Sequence, residues 1–181
     1  MNEISKVLDS GEHASWEVKP RYARYMFSSI FLIIIFSILA AFFLIALRSF
    51  LFVGVIFGLV FELPAALLFL YSHLSWRVKY YTITNKRTIF QFGIIGRDFK
   101  SVDFDKIQNV KVELGLLDSL FNTGRVEIYS GQIGVGTSTV DSFQSVLNPY
   151  DVLKKLHESM SKNKEANVQV LKSIRGILEK K

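Results

Sequence analysis

The sequence predicts a helical membrane hairpin followed by a small, mainly-β domain that closes with a helix. Three observations carry this prediction. Met26 to Leu47 is uncharged; after Arg48, the stretch from Phe50 to Trp76 is apolar except for Glu62 and a few small polar residues. From Trp76 onward, apolar residues recur with a period of two, and from Asn148 the period becomes helical.

Residues 1–25 hold four basic and four acidic groups and read as a polar cytoplasmic segment with one short element. The hairpin occupies residues 26–75. A helix of about 22 residues rises ~33 Å, enough for a hydrocarbon core of ~30 Å. The connection around Arg48 is so short that the second helix must run back beside the first. The first span begins too late, and is too long, for a cleaved signal peptide, and no small-residue cleavage site follows it. Lys19, Arg21 and Arg24 precede the hairpin, and Arg77, Lys79, Lys86 and Arg87 follow it, against Arg48 alone in the turn. The positive-inside rule then predicts a multi-pass protein of the cell membrane with both termini in the cytoplasm. Trp16, Tyr22, Tyr25, Tyr71 and Trp76 are expected to form an aromatic belt at that edge.

The β-domain is expected over residues 76–160. Val78 to Ile83 reads as a strand, Thr84-Asn85-Lys86-Arg87 as a turn, and Thr88 to Ile95 as its partner strand. Further strands are expected at Phe99–Phe104, Gln108–Leu114, from Gly124, and near Ser138–Val146, with a helical turn at Leu116–Phe121. Asn148 suits a helix N-cap and Pro149 the first helical position. Tyr150, Leu153, Leu156 and Met160 line one helix face, and Tyr150, Leu153 and Leu156 are expected to plug the domain. Ser161 to Glu165 reads as a hinge. Residues 161–181 then form a basic amphipathic helix with the stripe Val168, Leu171, Ile174 and Leu178, which can lie on a membrane, pair with another helix, or pack on its own domain.

The same order of features resembles the membrane-anchored pleckstrin-homology-like proteins of bacteria and archaea, the YdbS-like group. The matching residues are Gly11-Glu12, Trp16-Glu17 and Lys19-Pro20 ahead of the hairpin. After it come Tyr80 to Arg87, Asp105-Lys106-Ile107-Gln108-Asn109-Val110, Leu120-Phe121-Asn122-Thr123-Gly124, and Asn148-Pro149. The resemblance spans residues 11–160. It implies a PH-like, partly open barrel capped by a C-terminal helix, and a role in binding or assembly at the membrane without catalysis. It also brings in the habit of eukaryotic pleckstrin-homology domains, which bind phosphoinositides through a basic first hairpin. Lys79, Lys86, Arg87, Arg97 and Lys100 are the candidates for such an anionic-lipid patch; turn chemistry and positive-inside charge account for the same residues without any specific ligand.

The net charge of +6 resides entirely in residues 76–181, which hold seventeen basic and eleven acidic groups. Attraction to anionic headgroups follows from a basic domain held at a membrane. The tether argues against a nucleic-acid partner. There is no cysteine, so disulfides and thiol chemistry are excluded. His13, His73 and His157 are isolated, and no ligand cluster has metal spacing. Asp103 and Asp105 read as solvated residues beside a turn. Gly131 to Ser138 approaches a phosphate-binding loop, but Thr137 occupies the position of the essential lysine and no helix follows. No catalytic residue, cofactor or metal is expected.

Gly54, Gly58 and Glu62 recur at i, i+4 and i+8 on one face of the second span, a spacing that permits close helix packing. A carboxyl at that depth is costly in lipid and should face protein. Ser37 lies at similar depth and is its expected partner. The function most consistent with all of this is a non-catalytic, membrane-anchored binding or scaffold protein, assembling with other membrane-protein subunits, with copies of itself, or with anionic membrane surface. The alternative is a subunit of a transport or export system in which Glu62 takes part.

Overall fold

The computed structural model describes residues 3–134 and 137–179. A 3-10 turn at Ile4–Lys6 precedes strand β1, Ala14–Val18. Two long helices follow, α1 (Tyr22–Ala46) and α2 (Leu51–Val78), joined through a short turn at Arg48–Phe50. The strands β2 (Tyr80–Thr84), β3 (Arg87–Phe92), β4 (Asp98–Asp103) and β5 (Asn109–Glu113) come next. A short helix α3, Leu116–Leu120, leads to β6 (Thr123–Gly134), β7 (Thr137–Leu147) and helix α4 (Pro149–Leu178).

The strands form two antiparallel sheets, β1-β2-β3-β4 and β5-β6-β7, which do not close into a barrel. Tyr81, Phe90 and Phe143 meet between them, with ring centroids 5.1–5.7 Å apart. Val126, Ile128 and Val146 complete the layer without solvent exposure. Alternation places Val126 and Ile128 on one face, and a bulge in β7 at the left-handed Ser145 brings Val146 to the same face as Phe143.

The N-terminal segment is not separate from the domain, contrary to the division at residue 25. Its Trp16, Glu17 and Val18 pair with Ile83, Thr82 and Tyr81, so β1 is the edge strand of the first sheet. The two apolar helices are therefore an insertion between neighbouring strands. Helix α1 starts at Tyr22 rather than Met26. Trp16 packs against the domain core, so it is not part of an aromatic belt.

The helices pack along small residues. Ala40 and Ala65 are buried, and Gly54 lies against Phe43 and Leu44. The Phe43 ring stacks on both Phe57 and Phe61, at 5.2 and 5.7 Å. At the other end, Ser29 Oγ is 2.8 Å from Ser72 Oγ.

Helix α4 departs from expectation in two ways. It runs unbroken from Pro149 to Leu178, with no hinge at Ser161–Glu165. That stretch holds neither glycine nor proline, so nothing interrupts the hydrogen-bond ladder. Its buried face is also rotated. Val152 and Leu156 are fully buried and Met160 partly so, whereas Tyr150 is 63% exposed and Leu153 only half-buried. The entry residue sets this rotation. Asn148 has a left-handed backbone (φ 47°), and its side chain accepts a hydrogen bond from Asn122 at 3.0 Å instead of capping the helix. Gly124 makes the close approach possible, because a Cβ there would lie 2.7 Å from Pro149 Cγ. Beyond Asn163, which donates to the Asn85 carbonyl at 2.8 Å, α4 becomes largely exposed, although Val168 and Leu171 still border a groove with Phe104 and Asp105. Val168, Leu171, Ile174 and Leu178 are all exposed, so the stripe does not pack back on the sheets.

Leu156→Ala should lower the unfolding free energy of the full-length chain by about 2–5 kcal/mol. Tyr150→Ala should leave it within about 0.5 kcal/mol, as expected of an exposed side chain. Melts of both variants in detergent would check this; equal losses would reverse the assigned face.

Candidate functional site

The insertion closes at its base through a buried ion pair. Glu12 Oε1 and Oε2 accept from Arg87 Nε and Nη2 at 3.0 and 2.8 Å. The Glu12 side chain is fully buried. Thr84 Oγ1 lies 2.7 Å from Glu12 Oε1, and the Asp9 N–H donates to Oε2 at 2.9 Å. Arg87 also reaches the Val7 carbonyl and Asp9. Beside it, the Asn85 amide bridges to His13 N and the Gly11 carbonyl. Burial by itself raises the Glu12 carboxyl pKa. Hydrogen bonds from Arg87, Asp9 N–H and Thr84, with the guanidinium charge, outweigh it and hold the value below the ordinary carboxylate range.

The helices are fastened to the domain at the same level. Lys19 Nζ sits 3.7 Å from the Trp76 ring centroid, and Trp76 Nε1 donates to the Pro20 carbonyl at 2.7 Å. Arg24 pairs with Asp118 at 2.6 Å, and Arg21 donates to the Phe121 carbonyl. The Asp118 carboxylate offsets a basic first turn of α1, where the helix dipole favours an anion.

Between this junction and the sheets lies a cavity of about 430 Å³. Its lining includes Ser75 and Lys79 from the end of α2, Gln91 and Phe92 from β3, Lys100 from β4, and Asp141 and Gln144 from β7. Lys100 pairs with Asp141 at 2.7 Å. Lys79 lies 5.0 Å over the Tyr25 ring, with no carboxylate in ion-pair range among the described residues. Asp141 Oδ2 is buried without a hydrogen-bond partner.

The model of the Bacterial PH domain family matches residues 27–164. The chain belongs to the bacterial PH domain family. A solved structure similar to it is a DUF1696 family protein with a pleckstrin-homology domain from Shewanella loihica. That structure shares 11% identity, covers 87% of this chain and 90% of its own length, and has a TM-score of 0.43. Among curated proteins, none matches.

This bacterial PH domain does not gather the five proposed lipid-patch residues. Lys79 and Lys100 share the cavity. Arg87 is committed to Glu12 and Asp9 and is only 18% exposed. Arg97 pairs with Glu3 and donates to the Gly93 carbonyl. Lys86 is exposed on a separate groove against α4, beside Lys155 and Lys162. Lys86 lies in the β2–β3 turn and Arg87 opens β3, whereas the first hairpin in this fold is β1–β2, whose connection is the apolar insertion. A strand hidden in the polar head displaced that count by one.

In the insertion, Gly54 and Gly58 face α1 of the same hairpin, a Cβ at Gly58 lying 3.8 Å from Ala40 Cβ. Glu62 is half-buried on this stripe. Ser37 is exposed, and no hydrogen bond joins it to Glu62. Of the phosphate-loop resemblance, Gly131 to Gly134 lie in β6 and Thr137 opens β7 instead of a helix, while Gly136 is outside the described residues. No group of three acidic or histidine side chains able to hold a metal occurs among the described residues. Nothing in the sequence marks Glu12, Thr84 or Asp141 as site residues. Glu12 stood only as part of a motif, because nothing local tells which arginine a carboxylate will meet some seventy residues later.

Removing one partner of the buried pair, by Glu12→Ala or Arg87→Ala, should cost about 3–5 kcal/mol, and the double variant less than the sum. The folded pKa of Glu12 lies below its unfolded value of about 4.3. Its contribution is therefore complete above that pH and lost as pH falls through the folded value. Melts across the acid range should show a steeper acid loss for wild type than for the double variant.

Proposed function

We propose that this bacterial PH domain is a non-catalytic binding module anchored in the membrane by the α1–α2 insertion. One observation carries the reading: among the described residues, none covers the outward faces of the two helices. Only 11% and 17% of their most apolar 18-residue stretches are buried, where core helices of a soluble protein are mostly buried. Ile34, Ile38, Phe42, Leu59 and Leu63 are each more than half exposed. Leaving such side chains in water forgoes about 1.5–3 kcal/mol apiece, which a hydrocarbon environment restores.

The basic residues concentrate at the domain end of the hairpin, which supports a cytoplasmic domain with both termini inside. Apolar residues of the domain gather there too. Leu116 and Leu120 of α3 are 95% and 74% exposed, and the adjoining Phe121 ring lies 5.4 Å from Phe27 of α1. The generally non-catalytic character of pleckstrin-homology modules supports binding over chemistry. The partners in this reading are other membrane-protein subunits, and the free stripe of α4 is a surface offered to them.

The chain lacks cysteine, so Ser10→Cys, Ser49→Cys and Ser161→Cys each introduce a single thiol at an exposed site. The full-length chain should stay with membranes through alkaline carbonate. An impermeant thiol reagent should label position 49 on intact cells, and positions 10 and 161 only after the membrane is opened. Release by carbonate would refute the anchor, and the reverse labelling would refute the orientation.

A further inference from the structure

Helix α4 starts at the end of the domain nearest the hairpin and runs away from it. Asn148 bonds to Asn122, beside the Phe121 ring that meets Phe27 of α1. About 22 Å along the helix, Asn163 reaches the carbonyl of Asn85. Asn85 lies past the outer end of β2, a strand that starts next to the end of α2. Unbroken, α4 then continues for about 21 Å more, to Leu178. From Lys164 onward every described residue of it is exposed. A helix on this course does not lie on the bilayer that its own hairpin crosses.

One apolar face runs the whole length of α4. Val152, Leu156 and Met160 pack on the sheets. Steps of three or four residues carry the same face through Asn163 and Asn167 to Leu171, Ile174 and Leu178. Where the sheets stop, a groove of about 510 Å³ opens between α4 and the turn at Phe104 and Asp105. A second copy does not fit there. Copies in one membrane share height and direction, so a neighbouring α4 on this face would run through the sheets that Val152 and Leu156 already cover.

Charge names the occupant. Lys164 and Arg175 lie along one edge of the exposed stripe and Lys162 along the other, whereas Glu165 and Glu179 sit on the back with Lys172. Residues 161–181 hold six basic and two acidic groups, so even with Asp105 of the groove counted the net charge is +3. Asp103 and Lys106 of the same turn pair with each other. The Arg175–Glu179 pair is exposed and weak enough to yield to a partner's carboxylate. We infer that the outer half of α4 binds an acidic amphipathic helix from the cytoplasmic part of a partner subunit. The apolar face of that helix lies on Leu171, Ile174 and Leu178, and its carboxylates meet Lys162, Lys164 and Arg175. The inference rests on the membrane anchor proposed above, which fixes the direction of every copy.

Photo-crosslinking in cells that make the full-length chain tests this. A photoreactive amino acid is placed at Leu171 or Ile174 on the stripe, or at Lys172 on the back, and the linked peptides are identified by mass spectrometry. Both stripe positions should link to one segment of a different protein, with helical apolar spacing and Asp or Glu along its edges. The back position should not. In isolated membranes, salt at about 0.5 M should cut the yield severalfold. With the probe at Leu171, Ile174→Asp and Arg175→Glu should each lower the yield about fivefold or more, and Lys100→Ala, away from α4, should change nothing. Ile174 and Arg175 are exposed, so melts of these variants should match wild type and separate lost contact from lost fold. Linkage to a second copy or to lipid, a linked segment without acidic edges, equal linkage from Lys172, no linkage, or a yield indifferent to Ile174→Asp would overturn the assignment. Carbonate extraction reads the anchor separately. A chain that stays in membranes yet fails these criteria refutes the docking surface alone. A chain that is extracted but still links to an acidic helix loses the anchor and keeps the surface.

Discussion

The antiparallel pairing of β1 with β2, closed by the Glu12–Arg87 ion pair, is the constraint on which the rest of this molecule depends. Everything from Lys19 to Lys79 leaves the sheet and must return to the neighbouring position within it. Closing so long a connection costs chain entropy, although the cost grows only slowly with length. The hairpin lowers it by bringing its own ends together, and Glu12, Thr84 and Arg87 then complete the closure. A buried carboxylate is expensive unless paired and hydrogen-bonded. Here two bonds from the guanidinium, one backbone N–H and the Thr84 hydroxyl surround it, which offsets the desolvation.

Because the insertion is held at its base, the helices and the sheets are coupled rather than strung together. Helix α2 passes into β2 through Lys79 alone. Helix α1 is tied to the other sheet's surroundings, through Arg24 to Asp118 and through Arg21 to the Phe121 carbonyl. Two helices that pack on each other are therefore attached to two different parts of the domain. The polar cavity, and the apolar groove that continues it between α2 and the β3–β4 loop, are the space left at that junction. Their chemistry follows from position: leucines from the helix, lysines from its end and from β4, and carboxylates from β7 and the start of β4.

Local pattern revealed most of the elements. The two apolar spans, the alternation in β5, the turn at Asn85-Lys86 and the start of α4 at Pro149 all follow from periodicity and turn chemistry, which act over a few residues. Errors arose where the deciding contact was distant. β1 looked like part of a polar head because Ala14 to Val18 is short and only its pairing with β2 makes it a strand. The face of α4 was misassigned because Tyr150 and Val152 are both apolar. The left-handed Asn148 and the close fit of Pro149 on Gly124 select Val152 for the core.

The candidate site divides in the same way. Sequence by itself determined the apolar hairpin, the excess of positive charge in the domain and the order of its strands, since each depends on residue type and spacing along the chain. It also named Lys79, Lys100 and Arg87 as basic residues of one region. Only the tertiary structure decided that Arg87 is spent on Glu12, that Lys79 and Lys100 face one cavity, and that Ile94 closes an apolar groove against α2. Like charges along a chain are equivalent until folding assigns each a partner. That assignment depends on which strands pair and how the helices return, and both are set by contacts between residues far apart in sequence.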